Sequence, residues 1–391
     1  MKINKNRLII YIITVILSLA YIFGCGGYVS RDLTLFNNED NLSVKATVTR
    51  ISRSVEMPNP YVAEAEPDTL IHFDVEFKSG ELKGETGTAI QLIDGYMKNV
   101  THPVKKGDSI YLYYATDGEY ADNWMFADFN RLDKIILLAA IFFLALILFG
   151  RVQGFNTIVS LSLTCAAVIF VFIPAVLSGK NIYFWAILTC VFTIVMTLIV
   201  VYGITKKSIG AALGCFAGVG LAGILTVFMD KLLKLTGYLS ADSYQLTMLN
   251  INIRAVIFGA IIIGAMGAIM DIAISISSSL FEVREKAESI IPADLIRSGF
   301  TIGRDILGTM SNTLVLAYIG SSLSVILVLA VYSPSPLELL NRERIIVELL
   351  QSLVGIIAIL GTIPLTSVLC AFLYGGKNED AYLITRKFEE E

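Results

Sequence analysis

Asp271 is the single charge between Arg254 and Glu282, in the middle of "GAMGAIMDIAISISSS" (264–279). A carboxylate in so apolar a segment could exchange a proton, hold a cation with nearby hydroxyl and amide oxygens, or clamp two helices through a hydrogen bond. Placing it at mid-bilayer costs about 2.5–3.5 kcal/mol on insertion scales, so it is expected to face protein or water. Residues three and four apart share a helix face, which joins Gly264, Gly267, Asp271, Ser275, Ser278 and Glu282 into one stripe. The next apolar run, "GRDILGTMSNTLVLAYIGSSLS" (303–324), carries a similar stripe of Asp305, Thr309 and Asn312. Counting along each helix from the connecting loop brings Asn312 and Thr313 to the depth of Asp271. The two stripes are therefore expected to meet as a buried polar seam, suited to a proton or Na+.

Other chemistries are poorly provided for. The two histidines, His72 and His102, both lie in the polar N-terminal third, so an intramembrane His metal site or Ser–His pair is excluded. Aspartyl proteolysis needs two adjacent carboxylates, whereas Asp305 is offset from Asp271 by about 16 Å in depth at 1.5 Å per residue. No enzyme activity, metal or cofactor is expected. Cys25, Cys165, Cys190, Cys215 and Cys370 all lie in apolar segments without a CxxC pair and read as buried hydrophobes. "EAEPD" (64–68) gathers three carboxylates without EF-hand spacing and reads as a solvated loop.

The elements that must carry these residues are membrane helices. The 391 residues are 55% hydrophobic and only 16% charged, with mean hydropathy +0.70. A net charge of −4 without a clustered basic face gives no nucleic-acid footprint. About eight apolar runs are long enough to span: 8–28, 135–150, 155–178, 182–205, 208–229, 255–281, 306–332 and 345–374. The larger share of Lys and Arg in the short loops falls on the side of Lys2, Lys5 and Arg7. That predicts both termini in the cytoplasm and residues 30–134 outside the plasma membrane. "IFGC" ending at Cys25 loosely resembles a lipoprotein cleavage site, but Phe23 is too bulky for it, so 1–29 reads as an uncleaved anchor.

Residues 30–134 change character. "NLSVKATVTRI" and "LIHFDVEF" alternate apolar and polar residues, "GTAIQLI" and "DSIYLYY" are β-rich, and glycines mark the turns. A barrel of about five strands, with an OB-like form as the candidate, is expected there. The aromatic tract "YLYYATDGEYADNWMF" reads as barrel core and membrane-facing rim. Residues 135–374 then form a seven-helix bundle, and 375–391 a cytoplasmic tail. Within the bundle, Gly210, Gly214 and Gly218 make two overlapping GxxxG steps and read, with Gly264 and Gly267, as helix-packing glycines. Pro174 and Pro364 are expected to kink their helices. The charged stretch 282–305 reads as an amphipathic connector lying on the interface. Glu348 is expected to pair with an arginine one turn back.

"GAMGAIMDIAISISSSLFE", "GRDILGTMSNTLVLAYIGSSL" and "ELLQSLVGIIAILGTIPLT" together resemble the YibE/F-like family of bacterial multi-pass membrane proteins. The likeness runs from about 130 to 374. It places Gly264, Gly267, Asp271, Ser275, Glu282, Gly303, Arg304, Asp305, Gly308, Asn312 and Thr313 at signature positions. The resemblance implies the architecture and supplies no activity. Two functions stay open. One is a permease-like transporter coupled to a proton or Na+ through the Asp271 seam. The other is a scaffold or sensor whose external β domain binds a protein or cell-envelope partner.

Overall fold

The computed structural model describes residues 5–31, 33, 43–58, 66–237, 239, 241–287 and 290–375. The chain divides into two compact units, Thr34–Ala145 and Met1–Leu33 with Leu146–Glu391. The first carries the alternating segments, which form β1 (Val44–Met57), β2 (Asp68–Phe77), β3 (Thr86–Ile93), β4 (Ser109–Ala115) and β5 (Asn123–Phe129). Antiparallel β1–β2–β3 is extended by β5, parallel to β3, and then by β4, which returns to pair with β1 and closes the sheet. Period-two alternation puts Ala46, Val48, Phe73, Val75, Ile110 and Leu112 inside, each almost fully buried. Trp124 packs against Phe77 and Tyr114, which places part of the aromatic tract on the barrel itself. A short 3-10 turn after β3 is capped by Asp94, whose carboxylate accepts the Tyr96 N–H at 2.8 Å. Of the acidic loop at 64–68, Glu64 and Ala65 lie outside the described residues.

The helices are α1 (Lys5–Val29), α2 (Leu132–Ala167), α3 (Ile173–Leu177), α4 (Ile182–Tyr202), α5 (Lys206–Leu233), α6 (Ala241–Met248), α7 (Ile253–Lys286), α8 (Pro292–Tyr332), α9 (Pro336–Asn341) and α10 (Glu343–Gly375). Seven helices among the described residues are long and apolar enough to cross a membrane. One of them covers two of the eight runs read from the sequence, because Leu132–Leu177 is helical throughout apart from a break at Arg151 (φ 49°, ψ −124°). The break is sharp. A Cβ at Gly154 would overlap the carbonyl oxygen of Leu146 and lie 2.7 Å from its carbon, so only glycine fits there. Ahead of Pro174 the helix widens into a π turn at Val168–Phe172. The other proline, Pro364, lies inside a continuous α10.

Helix starts follow local side-chain chemistry. Asn181, Thr205 and Asn252 cap α4, α5 and α7 by accepting the N–H groups of Phe184, Ser208 and Ala255. The predicted connector is not a separate interfacial element. It contributes the first turns of α8, a single 41-residue helix from Pro292. Its Leu295, Gly299 and Gly303 are buried because a Cβ at Gly299 or Gly303 would strike Ser367 or Ile363 of α10.

The glycines of α5 and the hydroxyl residues of α10 form an antiparallel ladder. Gly210 faces Cys370, Tyr374 and Ser277, Gly214 faces Thr366, and Gly218 faces Thr362 and Ile269. Steps of four residues on both helices keep small opposite bulky, which lets the backbones approach. At one end the Ser277 and Tyr374 hydroxyls are 2.7 Å apart, and Ser277 donates to the Lys207 carbonyl. Of the other two glycines, Gly264 approaches Tyr318 and Gln351, while Gly267 has no atom within 4 Å of a Cβ position.

Candidate functional site: the open face of α7

Helix α7 is the centre of the bundle, packed on α4, α5, α8 and α10. Ile261, Ile262, Ala265, Ile269, Ile272, Ala273, Ile276 and Leu280 are buried to 1% exposure or less. Isoleucine and alanine three and four apart surround more than half of the helix, and what they leave uncovered is the stripe read from the sequence.

That stripe is not a buried seam. Gly264, Gly267, Asp271 and Glu282 are exposed, and Ser275 and Ser278 are half-buried. Among the described residues Asp271 makes no hydrogen bond or ion pair, and Glu282 pairs with Lys207 of α5 at 3.4 Å. The polar residues of α8 do not come to meet it. Asp305, Thr309, Asn312 and Thr313 are exposed, and the Thr309 and Thr313 hydroxyls bond back to the carbonyls of Ile306 and Thr309 in their own helix. The reason is rotational. Burying Leu295, Gly299 and Gly303 against α10 points the opposite side of α8, with Asp305 and Asn312, away from the core.

Other residues border the α7 stripe, and sequence spacing did not identify them. Tyr318 of α8 and Gln351 of α10 come within 2.9 and 3.3 Å of a Gly264 Cβ position, and Glu348 lies within electrostatic reach of Tyr318. Among the ion pairs of the described residues none joins Glu348 to Arg344, and Arg342 pairs instead with Glu338 at 2.7 Å. On the α4 side, Tyr202 is within electrostatic reach of Asp271. The open face thus runs past Gln351, Tyr318, Gly264, Gly267, Asp271 and Ser275, flanked by phenols from α8 and α4. A signal for Gln351 and Glu348 exists in the sequence as two polar residues three apart in an apolar helix.

The surface chemistry of this face separates it from the rest of the bundle. Among the described residues between Leu249 and Phe300 no large apolar side chain is exposed. By contrast α8 exposes Leu316, Ile319, Leu323, Leu327 and Val328, and α5 exposes Ile209, Leu213 and Ile224, the residues expected against acyl chains. Carboxylate, hydroxyl and amide groups at successive levels can pass a proton or replace part of a cation's hydration shell. No group of three or more His, Cys, Asp or Glu that could hold a metal occurs among the described residues.

The family model described as YibE/F-like protein matches residues 138–376, more than half of the chain. The chain belongs to the YibE/F-like family. No curated protein and no solved structure matches it. The matched region of this YibE/F-like protein contains the whole α7 face together with α8 and α10, and leaves out the barrel. Membership and the long apolar helices together make it a membrane protein.

Proposed function

We propose that this YibE/F-like protein is a permease-like transporter in which a small polar solute, a proton or Na+ moves along the open face of α7, with Asp271 as the group that takes up and releases the cation. One observation carries the reading. The most deeply packed long helix has only glycine, alanine, polar and charged residues among its fully exposed positions, its remaining apolar residues being buried or partly buried, and a free carboxylate on that face favours water over lipid. The topology that goes with it has both termini in the cytoplasm, eight passes counted with a turn at Arg151, and an OB-like barrel outside the cell. No catalytic step is part of this reading.

The test is uptake in membrane vesicles under an imposed proton or Na+ gradient, with a panel of small solutes. Asp271→Asn keeps the shape and removes the exchangeable charge, so gradient-driven uptake should vanish while insertion and folding persist. Undiminished uptake by the variant would exclude the proposal.

A second reading is favoured by a different observation. The barrel forms its own compact unit, apart from the family region. A scaffold or sensor would recognise a protein or cell-envelope partner through that unit. Deleting residues 35–128 would then abolish function, and Asp271→Asn would be nearly silent.

A further inference from the structure

We infer that α4, α5 and α7 form a binding site for a phospholipid with an anionic headgroup. A groove of 610 Å³ lies between these helices, with Cys190, Ile194, Phe258 and Ile262 as its buried floor and exposed residues such as Ile224 and Phe228 on its rim. Its walls are almost wholly apolar, except that Lys231 stands at one end. Phe216 to Lys231 is 15 residues, about 22 Å at 1.5 Å per residue. One leaflet holds about 15 Å of hydrocarbon, so a whole acyl chain fits along the groove with its head beside Lys231.

The groove borders there on a polar recess of 130 Å³ lined by Tyr183, Thr226, Asp230, Lys231 and Arg254. Val227, Lys231 and Phe258 line both spaces, which places them side by side. Tyr183 opens α4, Lys231 closes α5 and Arg254 opens α7, so the recess sits at one end of the bundle, where a headgroup belongs. Two cations face one carboxylate, and Asp230, Lys231 and Arg254 form no ion pair among the described residues. That leaves one positive charge uncompensated beside the Tyr183 phenol, which can donate to a phosphate, while the Thr226 hydroxyl is already given to the Ala222 carbonyl. An apolar slot ending in a cationic polar recess matches an anionic phospholipid, with the phosphate at Lys231 and Arg254 and one chain in the groove.

The site can be probed at its two ends separately. A Cβ at Gly220 meets nothing within 4 Å and one at Gly223 meets only Ile262 and Phe258 of the groove floor at 3.5 Å or more, so a side chain can start from either position and leucine there takes up groove space. The delipidated full chain would be titrated with phosphatidylglycerol and with phosphatidylcholine and read by native mass spectrometry. Phosphatidylglycerol should bind about fivefold more tightly or better, the effect of one cation on an anionic lipid. Lys231→Gln or Arg254→Gln should remove that preference, and Gly220→Leu or Gly223→Leu should weaken both lipids alike. Equal binding of the two lipids by the parent chain overturns the proposal without reference to any variant, as does a preference that survives both charge substitutions.

Discussion

Gly214→Ala is the most direct probe of the ladder between α5 and α10. A Cβ there would overlap Thr366 Oγ1 and lie 2.9 Å from both Cβ and Cγ2 of the same residue. Threonine is β-branched and cannot swing clear, so the two helices must move apart. Overpacking of this kind costs about 1–3 kcal/mol, against a gain of up to about 1 kcal/mol for alanine over glycine in a helix. The expected net loss is about 1–2 kcal/mol. Thr366→Ala removes two of the three clashing atoms, and its buried hydroxyl has no partner, so that change forfeits no hydrogen bond. The double variant should therefore recover about 1 kcal/mol relative to the sum of the single changes. Thermal unfolding in detergent measures this, at about 2–4 °C per kcal/mol for a large domain. Gly220→Ala, with open space around its Cβ, is the control and should be neutral or stabilising. If Gly214→Ala unfolds at the control's temperature, or Thr366→Ala restores nothing, the ladder does not hold these helices together.

Two further substitutions test other joints. A Cβ at Gly95 would overlap the backbone carbonyl of Glu66, and backbone cannot yield as a side chain can, so Gly95→Ala should cost about 3 kcal/mol or more. Limited proteolysis should then cut within β1–β5, and an unchanged digestion pattern would refute the close approach. The Glu343 carboxylate accepts the N–H groups of Thr236 and Gly237 at 2.7 and 2.6 Å and the Thr236 hydroxyl at 2.6 Å. Glu343→Ala removes all three bonds, and amide exchange at Thr236 and Gly237 should accelerate about tenfold or more. Unaltered exchange would mean that the carboxylate does not fasten this loop.

Much of this fold could be read from residue patterns, because burial follows period. Alternation located the strands, since Val44, Ala46 and Val48 in β1 and every second residue from Phe73 in β2 had to face inward. The α7 stripe was equally legible, as Gly264, Gly267, Asp271 and Ser275 share a face whatever surrounds it. Period does not say which way a helix turns relative to its neighbours. Gly299 and Gly303 decided that for α8 by matching Ser367 and Ile363, which lie sixty or more residues further along the chain. The same long-range fit gave the α5 glycines their hydroxyl partners and brought Gln351 and Tyr318 to Gly264. Arg151 shows the limit for a loop. A basic residue between two apolar runs marked the break, but two helices joined through a single residue at positive φ leave no loop segment and so no turn signature in the sequence.

On the transport reading, the uncovered face of α7 meets water inside the membrane. Thiol labelling in intact membranes tests it most directly, using a chain whose five cysteines are replaced by alanine and a membrane-impermeant reagent that reacts only with thiolate. Gly267→Cys and Ser275→Cys should react at least about tenfold faster than Leu327→Cys, whose side chain is 58% exposed on the apolar face of α8. Labelling of both positions as slow as at Leu327 would contradict the account.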